Sequence, residues 1–232
     1  MDNVEARRCS RYAFKDIQIS IDPILVKSYE VNSRGLEIFS KSWLPETRTK
    51  AVVLFCHEYG DTCTFCIAMK LASFGYGVVA MDYPGFGLSE GLHGYIPSFD
   101  KLVDDVIEHY SKFKEKPEFR NLPSFLFGES MGGARALKVH QKQPNAWKGA
   151  VLVVLMCKTA VELLNATKNI ERLPEENDPS ISKALYERSS SLDKKLFLYE
   201  DACHALLGGE PDEMMLRIFG NIISWLDEHS IS

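Results

Sequence analysis

Several features that would place this chain in a special class are missing from its 232 residues. No apolar run approaches the roughly 20 residues that a helix needs to cross a bilayer. Basic residues do not outnumber acidic ones, and the formal net charge of −5 makes nucleic acid an unexpected partner. The charged first eight residues lack the apolar core of a signal peptide. From these absences we expect a cytoplasmic protein.

The six cysteines are scattered and do not have the spacing of a disulfide framework. Cys63 and Cys66 form a C-x-x-C pair, but no second pair of cysteines or histidines follows at the spacing of a zinc site. We interpret both as packing residues, with a redox role as the alternative. His93, His109 and His140 do not form a ligand spacing with one another. The sequence therefore predicts no metal and no cofactor.

The strongest positive feature is the segment from Phe125 to Gly133, which reads F-L-F-G-E-S-M-G-G. It contains G-x-S-x-G, the pattern of a nucleophile elbow, in which a buried strand turns sharply into a helix with a serine at the tip. Small residues two before and two after Ser130 let the strand and the helix pass closely. An apolar run before the pattern and a helical pattern over 134–140 favour this interpretation. The alternative is a serine that only caps a helix.

Continuous apolar runs, typical of strands buried on both faces, alternate with helical patterns along the chain. The predicted strands are 28–31, 36–43, 51–56, 76–81, 125–127, 147–156 and 195–199, and the predicted helices are 62–74, 98–116, 134–140, 159–173, 180–190 and 211–229. This order predicts an α/β fold, with a mostly parallel sheet flanked by helices. The length predicts a single domain over 1–232, with residues 1–26 as an N-terminal arm.

Two groups of acidic residues outside the elbow have structural interpretations. Asp82 and the glycines Gly85 and Gly87 are expected to shape a turn beside the site. A phosphate-binding role is not expected there, because the Walker spacing and its lysine are absent. Asp104 and Asp105 fall on the polar side of the helix predicted over 98–116, so we expect both to be solvated.

Three segments together resemble the α/β-hydrolase superfamily: Gly75–Ser89, Gly128–Gly133 and Tyr199–Leu206. Within it, the chain is similar to the plant monoacylglycerol-lipase-like group, which includes caffeoylshikimate esterase. The resemblance implies an α/β-hydrolase fold and a serine esterase. Its implied partner is a small-molecule ester, either a monoacylglycerol or a hydroxycinnamoyl ester, and it uses no cofactor.

The resemblance also implies roles for individual residues. Ser130 would be the nucleophile, His204 the general base and Asp178 the acid, which gives the chain order Ser, acid, His of this fold. The backbone N–H groups of Met131 and Tyr59 would form the oxyanion hole. The predicted reaction is ester cleavage through an acyl-enzyme.

Three departures from the family pattern count against a working enzyme. The histidine of the oxyanion loop is here His57, which we expect to be structural and not a base. Glu58 stands where the family usually has a glycine after this histidine, and the change is either tolerated or damaging. Residues 157–178 are a shortened remnant in place of a long helical lid, which leaves at most weak, peripheral membrane contact. No apolar strand precedes Asp178, so it matches either the triad acid or a second aspartate before a proline. The alternative hypothesis is a truncated, inactive relic acting at most as a binding module.

Overall fold

A six-stranded sheet and five helices make up the part of the chain that the computed structural model describes, which is residues 24–59, 65–153, 179–199, 206–207 and 211–230. The strands are β1 (Ile24–Val31), β2 (Glu37–Leu44), β3 (Ala51–Cys56), β4 (Tyr76–Met81), β5 (Ser124–Glu129) and β6 (Gly149–Val153). The helices are α1 (Phe65–Ser73), α2 (Phe99–Glu115), α3 (Met131–Lys142), α4 (Pro179–Arg188) and α5 (Asp212–Ser230). The predicted α/β class is confirmed.

The sheet has the strand order β1-β2-β4-β3-β5-β6. β1 and β2 are antiparallel to their neighbours, whereas β4, β3, β5 and β6 run parallel to one another. From β3 the chain moves to β4 on one side, and from β5 it moves to β6 on the other side. The order therefore reverses between the carboxyl ends of β3 and β5, which is where open α/β sheets bind their ligands.

Helices cover both faces of the sheet, which explains why β3 and β4 are buried at every position. On one face the side chains of Val53 and Phe55 belong to a core that includes residues of α1 and α5. On the other face Val52 and Leu54 belong to a core that includes residues of α2 and α3. Apolar runs without alternation were the correct signal for strands of this kind.

Most element bounds lie within a few residues of the predicted ones, and the helix predicted from residue 98 has Ser98 as its N-cap. β1 begins at Ile24, before the predicted start at residue 28. The difference arises because β1 pairs with β2 along its full length, with Ile24 opposite Leu44. An unpatterned stretch of sequence is thus held as a strand by its partner, a tertiary effect that periodicity does not reveal.

Residues 195–199 were predicted to be a strand, and this prediction is wrong. The segment lies along α5 instead. Lys195 Nζ is 2.6 Å from Glu228 Oε2, and Asn221 Nδ2 donates a hydrogen bond of 2.8 Å to the Tyr199 hydroxyl. Within the described residues the sheet ends at β6, and this segment does not pair with it.

Asp105 was predicted to be solvated, but it is only 4% exposed and holds the β1–β2 turn against α2. Its carboxylate forms an ion pair with Arg34 and accepts a hydrogen bond of 3.0 Å from Asn32 Nδ2. Burial raises the pKa of Asp105, although the Arg34 guanidinium opposes the shift. Asp104 is exposed as predicted and pairs with Lys142 on the surface. The error for Asp105 arose because helical periodicity does not show which distant turn covers a polar face.

Replacing Asp105 with alanine should lower the free energy of unfolding by about 1–3 kcal/mol, because Arg34 and Asn32 lose their partner in a largely buried contact. Asp104→Ala on the same helix is the matched control, since it removes an exposed pair worth about 0–1 kcal/mol. Urea denaturation followed by circular dichroism measures both variants. Equal losses for the two substitutions would contradict the docking role of Asp105.

Candidate active site

Ser130 lies at the tip of a sharp bend between β5 and α3. Its φ is 51° and its ψ is −120°, and it is the one non-glycine position with a positive φ among the described residues. A side chain in this region is strained, and such strain persists where the surrounding structure enforces it. The predicted elbow geometry is therefore present at the predicted serine.

The two glycines of the pattern are required by close packing. A Cβ added at Gly128 would lie 2.5 Å from the carbonyl oxygen of Gly132, and one added at Gly132 would overlap the backbone carbonyl of Cys56. Both contacts are with backbone atoms, which cannot rotate away as a side chain can. The first turn of α3 thus rests directly on the ends of β5 and β3, as the glycine spacing predicted.

Backbone contacts, and not a capping side chain, fix Ser130. Its N–H donates a hydrogen bond of 3.0 Å to the Val153 carbonyl, and its own carbonyl accepts one of 3.0 Å from the Gly133 N–H. Ser130 occupies the N-cap position of α3, but its side chain makes no capping hydrogen bond. The helix-capping alternative is therefore not supported. The residue is 5% exposed.

The predicted oxyanion donors follow the ends of two neighbouring parallel strands. Cys56 at the end of β3 pairs with Gly128 of β5, and Tyr59 and Met131 each lie three residues further along the chain. Met131 is the first residue of α3, whose first turn contains no acidic side chain, so the positive end of the helix dipole is not neutralised there. The Tyr59 ring lies edge-on to Phe86, and its hydroxyl donates to the Gly94 carbonyl at 2.9 Å.

His57 is a fully buried histidine that begins the loop after β3. Its ring stacks on Tyr83 with the centroids 3.9 Å apart, and its Nδ1 lies 2.8 Å from the Glu58 carbonyl oxygen, which places a proton on Nδ1. Burial, reinforced by the nearby Arg135 cation, lowers the pKa of His57 to about 3. A neutral imidazole with no exposed surface fits the structural role predicted for it, and not that of a base.

Asp82 shapes the turn that follows β4, as predicted. It is 1% exposed, and one of its carboxylate oxygens accepts a hydrogen bond of 2.8 Å from the Leu88 N–H. Its backbone carbonyl accepts a second bond of 2.5 Å from the Ser89 hydroxyl. A Cβ at Gly87, where φ is +48°, would overlap this carboxylate, so glycine is needed there both for space and for backbone conformation.

Arg135 is the residue of this region that the sequence interpretation missed. Its side chain is fully buried in α3, and its Nη1 donates a hydrogen bond of 2.8 Å to the His57 carbonyl. Its guanidinium carbon lies 3.8 Å from the centroid of the Tyr83 ring. A signal was available: Arg135 stands in a run of small residues, G-G-A-R-A, which marks a tightly packed helix face where a solvated arginine would not fit.

Two predicted site residues, His204 and Asp178, lie outside the described residues, as does the remnant over 157–178. The roles of both residues stay predictions, and so does the truncation of the lid. Ser130, Met131 and Tyr59 are placed together at the switch point of the sheet.

Metal sites and membrane-spanning helices are absent from the described part of the chain. There, no three His, Cys, Asp or Glu side chains cluster so that they could hold a metal ion. None of the helices described combines the length and the apolar character that a membrane span requires. Cys56 is a buried free thiol.

The fold of this chain is also found in solved structures. A soluble variant of monoglyceride lipase from Saccharomyces cerevisiae, solved in complex with a substrate analog, superimposes with a TM-score of 0.72. The match covers 94% of this chain and 98% of that chain at 18% sequence identity. At this identity the similarity shows the fold alone, which is the predicted α/β-hydrolase fold.

Similar sequences include two kinds of enzyme that match most of this chain. The chain is 27% identical to caffeoylshikimate esterase from Arabidopsis thaliana, over 87% of this chain and 85% of that protein. It is 25% identical to monoglyceride lipase from Homo sapiens, over 86% of this chain and 90% of that protein. These relatives are of the kinds that the sequence motifs had suggested.

A family model supplies the assignment. The Hydrolase_4 model, described as serine aminopeptidase, S33, matches residues 47–176, which is more than half of the chain and includes the whole elbow. Together with the mostly parallel sheet and the strained serine, this match leaves one conclusion: the chain belongs to the Hydrolase_4 family of the α/β-hydrolase superfamily.

Proposed function

We propose that this protein is a serine hydrolase that cleaves carboxylic esters. The observation that carries the proposal is the conformation of Ser130, held at a positive φ between two glycines that have no room for a side chain. Membership of a hydrolase family and the similarity to two kinds of esterase support this chemistry.

In the proposed reaction, the Ser130 hydroxyl attacks the carbonyl carbon of the ester while His204 accepts its proton. Asp178 orients the imidazole and stabilises its protonated form. The tetrahedral intermediate then breaks its bond to the alcohol oxygen, which takes the proton from His204 and leaves. Water, activated by the same histidine, hydrolyses the acyl-enzyme, releases the carboxylic acid and restores the Ser130 hydroxyl.

The negative charge of the tetrahedral intermediate is proposed to lie between two backbone N–H groups, those of Met131 and Tyr59. Support comes from the position of Met131 as the first residue of α3, because the first N–H groups of a helix have no partner within the helix and the helix dipole favours an anion there. Removing one such donor typically costs about 10²–10³ in rate. Every group in this mechanism belongs to the chain, so the proposed reaction needs no cofactor.

The proposed substrates are a monoacylglycerol or a hydroxycinnamoyl ester, taken from the names of the relatives monoglyceride lipase and caffeoylshikimate esterase. Both substrates are carboxylic esters, one of a fatty acid with glycerol and the other of a hydroxycinnamic acid. A single elbow and oxyanion hole would serve either, because the reacting bond is the same. Comparing kcat/KM for a medium-chain monoacylglycerol and for a hydroxycinnamoyl ester decides between them.

A second candidate is a catalytically inactive relic that acts at most as a binding module. Residues 195–199 lie along α5 and not in the sheet, which supports a loss of sheet structure ahead of His204. The alignment with caffeoylshikimate esterase runs over 283 positions, more than the 232 residues of this chain, which supports a deletion relative to that protein. Glu58 in the oxyanion loop supports the same reading.

A fluorophosphonate probe should label the wild-type protein at Ser130, and Ser130→Ala should abolish both labelling and ester turnover, with turnover falling by about 10⁴ or more. Ser124→Ala is the matched control, because Ser124 is buried at the opposite end of the same strand. Intact-protein mass spectrometry measures the labelling. If the wild-type protein were not labelled, the serine hydrolase proposal would be rejected and the inactive relic would be favoured.

The two predicted triad partners are tested by His204→Ala and Asp178→Asn. Each should lower kcat by about 10⁴ with a much smaller effect on KM, because the first removes the base and the second leaves the imidazole misoriented. Asp193→Asn serves as the control, since Asp193 is an exposed carboxylate of the same region. An Asp178→Asn variant as active as this control would show that another group is the acid.

A further inference from the structure

We propose that Arg135 is a positioning residue, which holds the backbone of the loop after β3 so that the Tyr59 N–H and the Met131 N–H are correctly spaced. The inference deepens the proposed function, and its catalytic meaning rests on that proposal. Its structural part, that Arg135 fixes the end of β3, stands on contacts within the described residues.

The His57 carbonyl is the point at which the loop is held. It accepts a hydrogen bond of 2.8 Å from Arg135 Nη1 and a second one of 3.3 Å from the Tyr83 hydroxyl. Both donors are fully buried, so water does not compete for the carbonyl. A carbonyl with two buried donors, one of them charged, has little freedom to rotate its peptide plane. The peptide units that follow lead directly to Tyr59.

The same guanidinium also fixes the other side of the proposed oxyanion hole. Arg135 lies one helical turn after Met131 in α3, and its Nη2 is 3.4 Å from the Met131 sulfur. Beside it, Gly132 rests on the backbone of Cys56 and His57. Arg135 therefore joins the first turn of α3 to the loop after β3, and the two proposed donors lie on either side of this connection.

The cost of burying Arg135 argues against a simple packing role. No carboxylate of the described residues forms an ion pair with it; its stabilising contacts are the His57 carbonyl and the face of the Tyr83 ring. A buried charge without a counterion costs several kcal/mol relative to an apolar side chain of similar volume. A methionine or leucine would fill this space at a smaller cost in free energy. The charge and the hydrogen-bond donors of the guanidinium therefore act on the loop that they hold.

The charge also acts on its surroundings. Because His57 is held neutral, Arg135 is the cation of this buried group.

The test compares Arg135→Met with Asp105→Ala at an assay temperature at which both variants are folded. The contacts of Asp105 are with Arg34 and Asn32 of the β1–β2 turn, and its loss destabilises the protein, so this variant controls for stability. We expect Arg135→Met to lower kcat by about 10² with KM within a few-fold of wild type, because one oxyanion donor is displaced. Asp105→Ala should leave kcat within a few-fold. Arg135→Lys should recover part of the loss.

If Arg135→Met does not fold, Arg135→Lys and Tyr83→Phe replace it. Lysine keeps the charge without the planar fork, and phenylalanine removes only the second donor to the His57 carbonyl. We expect kcat losses of about 10-fold and about 3-fold for these two, with KM unchanged. The positioning role would be overturned if kcat of Arg135→Met equalled kcat of Asp105→Ala. Where Arg135→Lys replaces Arg135→Met, the same comparison applies to Arg135→Lys.

A second readout separates this inference from the proposed function. Burial raises the pKa of the Cys56 thiol to about 11, so this thiol at the end of β3 should react slowly with iodoacetamide. Removing Arg135 takes away a cation that favours the thiolate, so a faster reaction can only report local opening. This readout applies even if the wild type proves inactive. Cys56 should then be alkylated at least 10-fold faster in Arg135→Met than in Asp105→Ala, which would support the structural role of Arg135 at the end of β3. Equal rates, mapped by peptide mass spectrometry, would overturn it.

Discussion

The structure depends on the contact between the first turn of α3 and the ends of β3 and β5. Gly132 rests on the Cys56 carbonyl and Gly128 on the Gly132 backbone, at distances that leave no space for a Cβ. This contact forces the positive φ of Ser130 and, since β3 and β5 are paired in register, brings Met131 and the loop containing Tyr59 to the same edge of the sheet. The strained serine and the positions of the two proposed donors are thus consequences of one packing requirement.

Local features of this arrangement could be predicted because their causes are local. The glycines of the G-x-S-x-G pattern mark the positions where the strand and the helix come too close for side chains, and the elbow is found at these positions. Runs such as 51–56 and 76–81 have no polar alternation because both faces of the sheet are covered, so their strands could be bounded to the residue. Ser98 as an N-cap and Asp82 as a turn residue were likewise predictable, since both act on backbone groups within a few positions of themselves.

The features that were missed or wrong depend on contacts across the chain. Asp105 looked solvated on its helix, but the β1–β2 turn brings Arg34 onto it. Residues 195–199 have the composition of a strand, yet they do not pair with the sheet, and their contacts are with α5 instead. The small residues around Arg135 mark a packed helix face, but the path of the loop after β3 decides that Arg135 is the donor that holds the His57 carbonyl. In each case the sequence contains the residue, and the fold supplies the partner.

The central claim is that Ser130 is a nucleophile whose developing oxyanion is received by the Met131 and Tyr59 amides. A crystal structure of the protein inactivated with a phosphonate ester tests this most directly, because the phosphorus adduct mimics the tetrahedral intermediate. The account predicts a bond between phosphorus and Ser130 Oγ, with the phosphoryl oxygen about 2.7–3.1 Å from both amide nitrogens. An adduct on another residue, or a phosphoryl oxygen directed away from both amides, would contradict it.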